Sequence, residues 1–221
     1  MDFELPLSRK DAVVQQLRDE ILSGALAPRA AIKDAELAAR LGVSVTPVRE
    51  AITQLISEGF IEALPNKRRR VAALTQKQAI DLMDVLGAVF VAGLERSDGK
   101  LSDEWLEDFK RSVADFGAAL GSGDMQTSGP AFGRIVKLIF DAAGNDELHA
   151  VMDQVMLRSL RRIQLYPSQH LLPLWSEAFS DVADLLTIGK HAAAVDRMRR
   201  FFAELVAAMH RDRNDEELVG P

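Results

Sequence analysis

The 221-residue sequence predicts a mainly α protein, an N-terminal winged helix-turn-helix followed by an all-α antiparallel helical bundle. Three observations carry that prediction. Short helical stripes up to residue 57 give way to two short strand-like segments flanking a basic run between residues 60 and 74. From Thr75 onward apolar residues recur at helical spacing with hardly a strand signal. Gly-rich breaks at Ser97-Asp98-Gly99, Gly121-Ser122-Gly123, Gly144-Asn145 and Gly189 have the length that joins antiparallel helices. The organisation expected is residues 1–74 as one domain and 75–221 as a second.

The elements follow in order. Residues 8–23 read as an amphipathic helix with Val14, Leu17, Ile21 and Leu22 on one face and Gly24 as its stop. A short second helix is expected to begin with Asp34 as N-cap, bury Leu37, Ala38 and Leu41, and end at Gly42, where a left-handed residue costs little. Ser44 can cap a third helix. Pro47 falls in its first turn, where the missing N–H does little harm, and Val48, Ala51, Ile52, Leu55 and Ile56 form its buried stripe. Residues 60–64 and 70–74 read as a hairpin turned at Pro65-Asn66. Helices are then expected at 76–97, 102–121, 125–143, 146–165, 169–188 and 190–212, with a polar, fraying tail at 211–217. Trp175, Val182 and Leu186 on one helix, and Val195, Met198, Phe202, Leu205 and Met209 on the last, are most simply core or dimer contacts.

Composition narrows the function. The longest strongly apolar run, residues 85–94 (VLGAVFVAGL), is half of the roughly 20 residues a membrane span needs, so no membrane association is expected. With no cysteine, thiolate metal sites, disulfides and cysteine nucleophiles are excluded, a reducing compartment fits, and the cytoplasm is the default. Residues 1–74 carry a net charge of +1 and residues 75–221 a net charge of -7, and four consecutive cations, Lys67 to Arg70, concentrate positive charge near the end of the first part. There is no G-x-S-x-G elbow, P-loop, G-x-G-x-x-G or zincin motif, and the carboxylate pairs Asp103-Glu104 and Glu107-Asp108 sit on a polar helix face. Neither catalysis nor a cofactor is expected.

The head carries the chemistry. The stripe of the third helix leaves Val45, Thr46, Arg49, Glu50 and Thr53 facing outward, a hydroxyl and a guanidinium on the N-terminal half of a helix that follows a tight Gly turn. A helix-turn-helix presents such residues to base edges in the major groove. Lys67-Arg68-Arg69-Arg70 would then meet phosphates or the minor groove as a wing, supplying salt-dependent affinity. A solvated charge run is the plain alternative.

The stretches LRDEILSGALAP and ELAARLGVSVTPVREAITQLISEGFIEALPN resemble the winged helix-turn-helix of GntR-type bacterial transcription regulators over residues 9–74. The resemblance implies a homodimer on a double-stranded, palindromic DNA operator, most simply as a repressor. Ser44, Thr46 and Arg49 would lie on or beside the recognition helix, with Asn66, Lys67, Arg68, Arg69 and Arg70 in the wing. Two positions depart from the family. Val45 stands where an Arg is usual, which removes or changes one base contact, and Arg68 stands at the usual wing-tip Gly.

The second part, with AAGNDEL at residues 142–148 and Gly189, is similar to the FCD effector domain of the FadR-like branch. That family often binds a divalent metal through an Asp and three His. Aligned on Phe132, Asn145 and Gly189, those ligands fall at Gly129, Gly133, Phe179 and Phe201, and a carboxylate-binding Arg falls at Leu86, one turn from Phe90. None of these can hold a metal, so none is expected. Gly129 and Gly133 share a helix face at a cost of about 1 kcal/mol each relative to Ala. Two explanations stay open: Phe179 and Phe201 fill the space as solid core, or the six positions line an apolar pocket for a small-molecule effector. His149, His170, His191 and His210 are widely spaced and read as ordinary histidines, and Arg158, Arg161 and Arg162 as a solvated face or an anion contact. The rival from another class is an effector-blind helical interaction protein with a degenerate DNA-binding head.

Overall fold

The computed structural model describes residues 8–73, 75–165 and 169–211, which form two compact units, the first taking in the residues up to Thr75 together with 161–165 and the second the remainder from Gln76. In the first, α1 (Arg9–Leu22) is capped by the Ser8 hydroxyl, which accepts from the Asp11 backbone N–H. Val14, Leu17 and Ile21 are buried as expected, Val13 joins them, and Leu22 is only half-buried. Helix α2 (Asp34–Leu41) ends at Gly42 in the left-handed region at φ 67°, and α3 (Val45–Ser57) buries Val48, Ala51, Ile52 and Leu55 against α1 and α2.

Three features differ from the expectations. The N-cap of α2 is Lys33, without a side-chain cap bond, and Asp34 is the first helical residue with its carboxylate turned elsewhere. Ser44 does occupy the N-cap of α3, but its side chain makes no cap hydrogen bond. The hairpin strands are shorter, β2 (Ile61–Ala63) and β3 (Arg69–Val71), and a two-residue β1 (Ala31–Ile32) joins them in the order β1-β3-β2, antiparallel throughout. Leu74, the expected end of the second wing strand, lies outside the described residues.

From Gln76 onward the described residues are helical: α4 (Gln76–Arg96), α5 (Asp103–Ser122), α6 (Met125–Ala143), α7 (Asp146–Leu165), α8 (Leu172–Thr187) and α9 (His191–Arg211). Their bounds fall within a few residues of those read from the Gly breaks, because Gly99, Gly123, Gly144 and Gly189 all take the positive φ that ends a helix without a Cβ penalty. The polar tail expected to fray lies almost wholly outside the described residues. The core is aromatic. Phe90, Phe116, Phe132, Trp175, Phe179, Phe201 and Phe202 pack with ring centroids 4.9 to 6.3 Å apart, mostly edge to face, as the ring quadrupoles favour.

Candidate nucleic-acid interface

The period of the β-strand splits the basic run. Arg69 pairs in register with Ile32 and Ala63 and so shares a face with the buried Val71, whereas Arg70 pairs with Glu62 and Ala31 on the opposite face. Each arginine therefore finds a different carboxylate. Arg70 is ion-paired across the strands with Glu62, and Arg69 donates from Nη1 to Oδ1 of Asp34 at 2.5 Å. Asp34 also accepts from the Nε of Arg49 on α3, at 3.2 Å. Burial works to raise the Asp34 carboxyl, but hydrogen bonds and charge from Arg69 and Arg49 outweigh it and hold the group below its usual range.

Lys67 and Arg68 are exposed, with no ion pair among the described residues. At the wing turn the left-handed residues are Asn66 at φ 62° and Lys67 at φ 58°, while Arg68 is extended at φ -75°. The turn thus closes without glycine at Arg68, because Asn tolerates this region and takes one of the two positions. Ser44, Thr46 and Arg49 are exposed at the N-terminal end of α3, beside Val45.

Arg49 and the wing cations share one concavity of about 830 Å³ within the first unit. Arg29, Lys33, Arg49, Lys67, Arg68, Arg69 and Arg70 line it, and Asp34 is its one acidic lining residue. The sequence pattern alone does not single out Arg29, Lys33 or Asp34 as site residues. Arg29 and Lys33 lie far from the basic run in sequence, and it is β1, two residues long, that brings their segment beside the wing. Too few residues were present to show a strand period.

The other candidate positions lie in the helical unit. Leu86, Phe90, Phe179 and Phe201 are fully buried, with Phe90 5.5 Å and Phe201 6.1 Å from the Phe179 ring. Gly129 is buried on α6, but a Cβ added at Gly133 would meet nothing within 4 Å. Phe179 and Phe201 therefore do not fill the space beside Gly133. The glycines against which rings do press are Gly87 and Gly93 on α4, where an added Cβ would lie 2.6 Å from Phe202 and 2.7 Å from Phe140. Among the described residues no three His, Cys, Asp or Glu side chains converge, and no helix is long and apolar enough to cross a membrane. Arg158 is exposed, and the side chains of Arg161 and Arg162 lie outside the described residues.

A helix-turn-helix with a cationic wing and a groove lined by seven basic residues defines a DNA-binding protein. Residues 9–71 match the family model for bacterial regulatory proteins of the gntR family. It is 26% identical over 197 residues to a "Probable D-xylose utilization operon transcriptional repressor" of Paenarthrobacter nicotinovorans, covering 86% of this chain and 85% of the relative. The transcriptional repressor GlaR of Escherichia coli matches over 92 residues at 26% identity, 42% of each chain. Among solved structures, a GntR-type chain from Rhodococcus sp. RHA1 superposes with a TM-score of 0.78 at 20% identity, over 93% of this chain and 99% of that one. Escherichia coli McbR/YncC does so at 0.74 and 19% identity, over 95% and 100%. At these identities the structures speak for the fold, and all these relatives are regulators rather than enzymes.

Proposed function

We propose that the chain is an operator-binding repressor that works as a homodimer, with residues 1–74 reading DNA and residues 75–221 serving dimerisation and effector response. The observation that supports this reading best is the groove beside the exposed face of α3, seven cations against one carboxylate. Phosphates draw the groove to DNA, while Thr46 and Arg49 at the start of α3 meet base edges. Val45, exposed at the same end, offers an apolar surface of the kind that meets a thymine methyl. Two such heads related by a twofold axis require a palindromic site with half-site spacing set by the dimer.

The test is fluorescence anisotropy of the protein on duplex DNA from upstream of its own gene, against a random duplex, at two salt concentrations. Preference by orders of magnitude that survives the higher salt is the expected outcome. Equal, weak binding erased by salt overturns it in favour of a helical interaction protein with a decayed head.

For the second unit, the ring-on-ring packing of Phe90, Phe179 and Phe201 supports a filled core at those three positions, while the space beside Gly133 stays open. An apolar effector at Leu86, Phe90, Gly129, Gly133, Phe179 and Phe201 would have to part those rings. A melting-temperature screen with acyl and aromatic compounds, followed by release of DNA, distinguishes the two.

A further inference from the structure

The carboxylate of Asp34 stands where the helix-turn-helix and the wing meet. Its Oδ2 accepts from Nε of Arg49 on α3 and its Oδ1 from Nη1 of Arg69 on β3. The Asp34 side chain is 18% exposed and that of Arg49 is 63% exposed, so a fixed, half-buried anion holds a guanidinium that projects into solvent. The terminal nitrogens of Arg49 make no hydrogen bond to any described residue.

We propose that Asp34 is a positioning residue for sequence reading, aiming Arg49 at a guanine. The inference rests on the DNA-binding reading of the head. A guanidinium is a planar fork of five donors. With Nε engaged by Asp34, the plane is fixed and Nη1 and Nη2 are left as a pair, the geometry that meets O6 and N7 of guanine. A long side chain already ordered before binding loses less conformational freedom when it docks. The same carboxylate grips the wing through Arg69, so the aim of the reading helix and the placement of β3 are set by one group. Its charge also opposes the attraction of the seven surrounding cations for phosphate. Discrimination thereby rises relative to indiscriminate binding, an arrangement in which a repulsive element serves specificity.

The experiment begins by selecting a preferred duplex with the wild-type protein from a random-sequence pool. Affinity is then measured on that duplex, on its single-base variants and on a random duplex, over a range of salt, for Asp34→Asn, Asp34→Glu, Arg49→Ala and the double variant Asp34→Asn/Arg49→Ala. Asp34→Asn is expected to bind the random duplex several-fold more tightly, with a salt slope steeper by about 0.9 for each cation it releases to phosphate. Its ratio of specific to random affinity falls about tenfold or more, with the loss concentrated at the G·C pair to which Arg49→Ala is also blind. The double variant adds nothing to the loss from Arg49→Ala, and Asp34→Glu recovers most of the ratio.

A ratio for Asp34→Asn within twofold of wild type overturns the proposal, as does an equal loss on all duplexes or a loss that adds to that of Arg49→Ala. Should Asp34→Asn fail to melt cooperatively, the exposed position carries the test through Arg49→Lys. Retained affinity with lost G·C preference supports the proposal, and retained preference sinks it, because lysine has no fork to aim. A wild-type protein that enriches no sequence from the pool defeats the DNA reading itself, and the role of Asp34 falls with it.

Discussion

Arg18 on α1 donates through Nη2 to both carboxylate oxygens of Glu58, at 3.0 and 2.9 Å, and so ties the first helix of the head to the C-terminal end of α3. Glu58 is the C-cap residue of α3, a place where the helix dipole disfavours an anion. The pair offsets that. Both side chains are less than one-fifth exposed, and the Arg18 guanidinium lies 6.0 Å from the centroid of the buried Phe60 ring. Glu58→Ala leaves the cation half-buried without its partner and is expected to destabilise the head by about 2 kcal/mol, between the values for exposed and for buried pairs. Urea unfolding followed by circular dichroism checks this. Adding Arg18→Met should recover much of the loss, and a double variant that merely sums the two single losses would show the pair is not coupled.

Gly87 is a second site where one atom decides. The Cβ and Cγ of Phe202 lie 2.8 and 2.6 Å from where a Gly87 Cβ would stand, so α4 and α9 meet through a glycine face. The obstacle is the base of a buried side chain rather than its flexible end. Gly87→Ala gains about 1 kcal/mol in helix propensity and loses more to overpacking, for a net destabilisation of about 1 to 3 kcal/mol. Gly133→Ala is the control: an added methyl there meets nothing within 4 Å, and the propensity gain should appear as a higher melting temperature.

The contrast between these glycines shows what the sequence could and could not carry. Helix periods and Gly breaks located the six helices from Gln76 onward, because each repeats over several turns and four of the breaks carry a glycine with positive φ. Which glycine faces a ring depends on the rotation of one helix against another, and no local pattern encodes that. Thr46, Arg49 and the basic run of the wing were legible as outward-facing chemistry beside a buried stripe. Asp34 was not. At the start of an apolar run an Asp reads as a cap, and only the register of β3 against β1, which brings Arg69 opposite Ile32, shows that its carboxylate serves two arginines instead.

Acid should loosen the head in a defined window. Burial acts to raise the Glu20 carboxyl, but hydrogen bonds from Arg40 and Gln16, with the Arg40 charge, hold it low; Asp34 is held low in the same way by Arg69 and Arg49. A group whose folded pKa lies below its unfolded one binds protons more readily when unfolded. Its contribution is therefore fully present above the ordinary carboxylate range near pH 4 and is lost as pH falls through the lower, folded value. Stability of the head should be flat from about pH 7 to 5 as regards these two groups and should decline below about pH 4. Urea midpoints measured from pH 3 to 7 check this, and Glu20→Gln/Asp34→Asn should flatten the acid limb. An unchanged limb would assign acid sensitivity to other carboxylates.

The four wing cations should not be equivalent on DNA. Arg69 and Arg70 are engaged by Asp34 and Glu62, so a phosphate must compete with a carboxylate for each, whereas Lys67 and Arg68 are exposed without such a partner among the described residues. Counterion release then falls mainly to the latter two. Lys67→Ala and Arg68→Ala are each expected to weaken operator and random duplex by similar factors and to lower the salt slope by about 0.9. Arg70→Ala should change the slope by less than half of that, and Arg49→Ala should instead cost roughly 1 to 3 kcal/mol on the operator alone. Anisotropy titrations across a tenfold range of salt separate the two behaviours. Equal slope changes at Lys67, Arg68 and Arg70 would mean that the ion pair with Glu62 opens freely when DNA arrives.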